Sequence, residues 1–118
     1  MTTLKLTESV DVLASETSVA DEIDTSTATA PVTIATPNSG KKIDTRSAYL
    51  ASDSTSGKVV MKFAGGKIIG IIYCSKFALV ALDSVRKTGA KDEAVVVDWS
   101  GLSTGAKIFY SLRYKEVD

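Results

Sequence analysis

The stretch AKIFYSLRYKEV, residues 106–117, decides how this chain folds. Ile108, Tyr110, Leu112 and Tyr114 recur at every second position, with Lys107, Phe109, Ser111, Arg113 and Lys115 between them. A period of two sends alternate side chains to opposite faces of an extended strand, so one face is apolar and the other wet. Upstream, EAVVVDWS (93–100) repeats the pattern with Val95, Val97 and Trp99 on a shared face. GKVVMKFAGGK (57–67) does so with Val59, Met61 and Phe63, then breaks at Gly65-Gly66. That dipeptide is a hairpin signal, because glycine accepts the positive φ of tight turns.

Three further segments extend the reading. IDTRSAYLAS (43–52) is expected to be a strand, and PVTIAT (31–36) a short one, with Pro31 favouring a sheet edge. IIGIIYCSKFALVAL (68–82) is nearly continuous in apolar residues. It falls about five residues short of a membrane-spanning helix and carries Lys76. It reads instead as two strands, each covered on both faces and joined as a buried hairpin at Ser75-Lys76. Six or seven strands result, with no segment of sustained helical spacing. The expected fold is all-β, a compact two-sheet sandwich of jelly-roll type, since a single sheet of this composition would leave an apolar face in water.

The first 40 residues differ in kind. Twenty of the first 57 residues are Ser or Thr, and Leu4, Leu6, Val10, Val12, Leu13, Val19 and Ile23 are thinly spread. Residues 1–40 therefore read as an extended, acidic N-terminal arm and 41–118 as the sandwich body. The zero net charge conceals an asymmetry: six acids against one base in the arm, thirteen bases against eight acids in the body. Opposite charges of this size suggest contact between arm and body, within a subunit or between neighbours. The start MTTLKLTESV lacks the basic and apolar segments of a secretory signal, so export by that route is not expected.

Catalytic signatures are sparse. With no His, the commonest general base and metal ligand are missing, and neither a metal nor a cofactor is expected. Asp92, Glu93 and Asp98 lie close in sequence, but the first two open a strand beside a turn and read as solvated turn residues rather than an acid pair. Gly57-Lys58 and Gly65-Gly66-Lys67 do not follow the phosphate-cradling pattern. Trp99, Tyr110 and Tyr114 fall in phase with Val and Leu, which assigns them to a core or interface over a sugar-stacking platform. Phe109 is the aromatic on the basic face. The lysines and arginines are scattered, so no nucleic-acid partner is expected. Cys74 sits in an apolar run and reads as an inert thiol.

The order SGKVVMKFAGGKIIGIIY, a charged Gly loop, and then DEAVVVDWSGLSTGAKIFYSLRYKEV resembles the small β-sandwich structural proteins of tailed-phage particles, of the capsid decoration or cement type. The resemblance covers about residues 43–117 and rests on strand rhythm and the closing IFYSLRYKE. It implies a non-enzymatic subunit on the outer surface of a virion, made in the host cytoplasm. Its partners would be the major capsid protein and copies of itself in a homotrimer, with no membrane involved. The implied interface residues are Leu4, Leu6, Val10 and Val12 in the arm, Val32 and Ile34 in the short strand, and Phe109. The reading from another class is a carbohydrate-binding module that uses Phe109 or Trp99; an enzyme with a His-free site ranks last.

Overall fold

A computed structural model describes residues 16–74, the backbone of 78–83, and 86–118. Its strands are β1 (Glu16–Asp24), β2 (Val32–Ala35), β3 (Lys42–Ser52), β4 (Lys58–Phe63), β5 (Ile68–Tyr73), β6 (Ala78–Asp83), β7 (Val95–Ser100) and β8 (Lys107–Val117). They form two antiparallel four-stranded sheets, ordered β1-β8-β3-β6 and β2-β7-β4-β5. Every connection but β4–β5 crosses from one sheet to the other, and this interleaving is the jelly roll the sequence leads one to expect.

The apolar phases of the strands meet between the sheets. Ile43, Leu50, Val59, Met61, Phe63, Ile72, Val95, Val97, Ile108 and Leu112 are at most 2% exposed. On β8, Ile108, Leu112 and Tyr114 are buried and Tyr110 half-buried, while Lys107, Phe109 and Arg113 are exposed. At the β4–β5 turn, Gly66 has φ 117° and its amide donates to the Phe63 carbonyl at 2.8 Å. Gly57 has φ 82° and lies so near the Ser100–Gly101 backbone that a Cβ would stand 2.3 Å from the Ser100 carbonyl oxygen, which only glycine avoids.

Two expectations are corrected. The first is the boundary at residue 40. β1 pairs with β8 along its whole length, from Glu16 opposite Lys115 to Asp24 opposite Lys107, and β2 pairs with β7. Ile23, Ile34 and Ala35 are buried in the core, with Val19 and Val32 packed against it. Residues 16–40 thus belong to the sandwich, and what remains of the arm lies outside the described residues. The acidic character attributed to the arm is used within the subunit: Glu22 pairs with Lys107 at 3.2 Å and Glu16 with Arg113 at 3.4 Å.

The second correction concerns 68–82. β5 and β6 are not a hairpin: β5 pairs with β4 in one sheet and β6 with β3 in the other. Nor is β5 covered on both faces, since Ile68 is 48% exposed and Tyr73 70%. β5 ends its sheet, and the apolar residues that made the run look buried point outward from an edge.

A deletion test follows from the first correction. Each fully buried aliphatic side chain contributes about 1.5–3 kcal/mol, against a total domain stability of about 5–15 kcal/mol. Removing residues 1–40 takes away Ile23, Ile34, the partly buried Val19 and Val32, and two strand ladders. The 41–118 fragment should therefore show no cooperative melting by circular dichroism.

Candidate functional site

The acids that stood closest in sequence serve separate local tasks. Asp92, at φ 63°, accepts a hydrogen bond from the Gly40 amide at 2.6 Å. The Glu93 carboxylate accepts from the Gly65 amide at 2.6 Å and the Ala90 amide at 2.8 Å, clasping the β4–β5 turn to the loop before β7. Asp98 pairs with Lys62 at 3.5 Å and accepts from the Trp99 amide at 2.9 Å. Asp92 is exposed in the turn before β7, as the sequence leads one to expect, Glu93 follows it half-buried, and both also fasten loop amides, while Asp98 lies on β7; the geometry does not bring the three into one acid–base pair. No cluster of three metal-ligating side chains occurs among the described residues.

What the fold does assemble is two outward faces. On the β1-β8-β3-β6 sheet, Phe109 is 39% exposed and Tyr49 37%. Phe109 stands opposite Glu22 and Ala51, and Tyr49 opposite Ser111, which makes the two rings diagonal neighbours across β8 and β3. Around them run the Glu22–Lys107 and Glu16–Arg113 pairs. Further along β3 a register shift between Thr45 and Ser47 frees Arg46 from the ladder. Asp44, 7% exposed, then meets Arg46 at 3.2 Å and Arg86 at 3.1 Å and accepts from the Thr88 hydroxyl at 3.3 Å. This cluster holds the 86–88 segment against β3, where the Thr45 amide also donates to the Lys87 carbonyl at 2.9 Å.

The other sheet carries a shallow groove of about 240 Å³ lined by Val60, Ile68, Ile71 and Trp99 and rimmed by Lys58, Lys62 and Asp98. Ile68, Ile71 and Val60 come together here because Val60 is opposite Ile71 and Lys62 opposite Ile68 in the β4–β5 ladder. Trp99 is half-buried against the core at the groove's end. It also borders an open cleft of about 550 Å³ between the 25–26 and 100–105 loops, lined with Thr25, Ser26, Ser103 and Thr104.

Of the residues assigned to an interface from sequence, Leu4, Leu6, Val10 and Val12 lie outside the described residues. Val32 packs half-buried against the core, and Ile34 is buried in the isolated subunit. Phe109 is exposed. Sequence reasoning missed Tyr49, Ile68, Ile71 and Tyr73: the first sat in an unremarkable strand, and the others were read as covered. Trp99 and Phe109 belong to different sheets and do not form one stacking platform.

No protein-family model matches this chain, and no curated protein matches it significantly in sequence. Among solved structures, it is similar to a chain in the acidic stable capsid structure of Helicobacter pylori bacteriophage KHP30, with TM-score 0.63 and 13% identity over 87% of this chain and 93% of that one. Lower scores come from the cyanophage Pam1 capsid asymmetric unit (TM-score 0.47, 14% identity, 85% of this chain and 82% of that one). A virus-like particle of the giant freshwater prawn Macrobrachium rosenbergii extra small virus gives TM-score 0.45 at 12% identity, over 86% of this chain and 77% of that one. The first likeness establishes the fold as one found in a phage capsid structure. Mutual coverage that high also makes the two chains closely matched in length.

Burial pushes the Cys74 thiol up, opposed in part by a hydrogen bond with Ser52, and burial likewise pushes Tyr110 and Tyr114 up. Each raised value stabilises the protonated form in the fold, so stability is complete below the unfolded values and is lost as pH rises through the alkaline range. Thermal melts should accordingly stay level from neutral pH up to about the ordinary thiol and phenol values of 9.0 and 10.0 and fall above them, and Cys74 should react with a maleimide only in denaturant. Trp99→Ala should lower stability by about 1–3 kcal/mol, less than a fully buried ring. Urea denaturation measures the loss.

Proposed function

We propose that this chain is a non-enzymatic structural protein of a virus particle, a decoration or cement subunit that seats on the outer surface of a phage head. Its partners in this reading are the major capsid protein and further copies of itself, in a homotrimer. The observation that carries the reading is the nearly end-to-end likeness, at TM-score 0.63, to a chain in a phage capsid structure. Fold alone does not confer function, so the surface has to fit the role. Among the described residues the large exposed hydrophobics are Tyr49, Ile68, Tyr73 and Phe109, gathered on two faces. A subunit attached to a finished shell needs a docking face with an apolar centre and a polar rim. The Phe109–Tyr49 patch, ringed by ion pairs, suits the docking face. Residues 1–15, lying before β1, supply the tie between subunits.

Co-sedimentation of the full chain with particles stripped of it tests this. Full-length protein should pellet with the particles, and Phe109→Glu with Tyr49→Glu should weaken binding by tenfold or more, the scale of aromatic anchors at interfaces. Raising salt should weaken the wild type only in part, since exposed ion pairs are screened while apolar contacts are not. Protein left in the supernatant, or closed shells formed by the chain alone, would contradict the proposal.

The hydroxyl-lined cleft beside Trp99 favours a second reading, a carbohydrate-binding module. Glycan-array binding abolished by Trp99→Ala would select it.

A further inference from the structure

The outer face of the β1-β8-β3-β6 sheet is electrically lopsided. At one end Lys107 stands among three acids: Asp24 is its register partner, Glu22 pairs with it at 3.2 Å, and Asp53 accepts from its amide at 2.7 Å. Phe109 and Tyr49 occupy the middle. Beyond them Arg113 stands opposite Ser47, and Lys115 lies between Glu16 on β1 and Asp44 on β3. Lys42 shares the phase of Asp44, and Arg46 and Arg86 both close on that carboxylate. Asp83 of β6 is in register with Ser47. This end of the face holds five bases with three acids, the other end one base with three.

The acids already present do not use up the arginines. Arg46 and Arg86 approach one and the same oxygen, Asp44 Oδ2, at 3.2 and 3.1 Å. A guanidinium carries its N–H donors in a fork built for two oxygens, and here two forks share one acceptor atom. Arg46 Nε is buried and has no hydrogen-bond partner, which is true of no other buried side-chain nitrogen or oxygen among the described residues. Its place is set by the irregularity in β3, where the extra residue between Thr45 and Ser47 brings Arg46 onto the side of Asp44. The Arg86 side chain is 62% exposed and that of Arg113 57%, so their remaining donors face outward. Buried polar groups are nearly always satisfied in a finished structure. The surplus donors call for an acceptor from outside the chain.

We propose that this basic end takes carboxylates from an acidic patch on the partner surface to which the Phe109–Tyr49 face docks. The inference rests on the docking reading above and adds the chemistry of the partner. The two rings exclude water beside the arginines, which strengthens each guanidinium–carboxylate contact. The forks then fix orientation: a subunit turned end for end would set Glu22, Asp24 and Asp53 against the partner's carboxylates, a juxtaposition of like charges that costs affinity. A nucleic acid would also offer anions to the arginines. Its backbone charge is continuous, however, and the acidic end of the same face would repel it. A local patch of carboxylates fits both ends.

The experiment is co-sedimentation of the full chain with stripped particles, either untreated or with their surface carboxylates amidated by carbodiimide and glycinamide. Two variants accompany the wild type: Arg86→Gln with Arg113→Gln, and Lys58→Gln with Lys62→Gln, which removes the same charge from the other sheet. The arginine variant should bind untreated particles about tenfold or more weakly, and the lysine variant within about twofold of wild type. Amidation should weaken the wild type by a like factor and the arginine variant by less than about twofold, because both changes remove the same contact. The amidation arm needs no substitution, so it decides the matter even if the arginine variant folds poorly. An arginine variant that binds as wild type does, a lysine variant that loses as much, or a wild type indifferent to amidation overturns the inference and leaves the capsid reading standing, since the wild type still pellets. Wild type left in the supernatant with untreated particles overturns both. Binding of the wild type to single-stranded DNA, lost in the arginine variant, would assign the arginines to phosphates and overturn the inference as well.

Discussion

β8 takes a partner on each side, β1 and β3, and the sandwich depends on that double pairing. Its two neighbours come from the N-terminal part of the chain, so the last strand to be made joins the first described strand to the third. Loop closure over such distances costs entropy before any contact repays it. The repayment comes from Ile108 and Leu112, fully buried, and from ladders running the whole length of β1 and from Lys42 to Ser52 of β3. Exposed ion pairs across β1 and β8 add little each, about 0–1 kcal/mol. Their larger effect is on register: Asp24 opposite Lys107 and Glu16 opposite Lys115 penalise a slip of one residue.

The same pairing explains what the sequence disclosed. Strands whose inner faces are fully buried, such as Val59–Phe63 and Ile108–Tyr114, announce themselves by strict alternation, and the all-β jelly roll could be read from them. β1 could not. Asp21 interrupts the phase of Val19 and Ile23, tolerated because β1 lies at an edge where that side chain reaches water. Its stability comes from a partner some 90 residues away, which no local pattern records. β5 misled in the opposite sense: its outward residues are as apolar as its inward ones, so an edge looked like an interior.

The surface was legible in one residue. Phe109, out of phase with its apolar neighbours, is exposed as its position on the basic face implied. Tyr49 and the Ile68–Ile71–Tyr73 row became visible only when sheet order showed which strands are edges and which residues stand diagonal to one another.

A cryo-electron microscopy reconstruction of particles that carry this protein tests the assembly account most directly. The account predicts an eight-stranded sandwich outside the shell, its Phe109–Tyr49 face toward the capsid. Particles with no such density, or a sandwich that itself forms the shell wall, would contradict it.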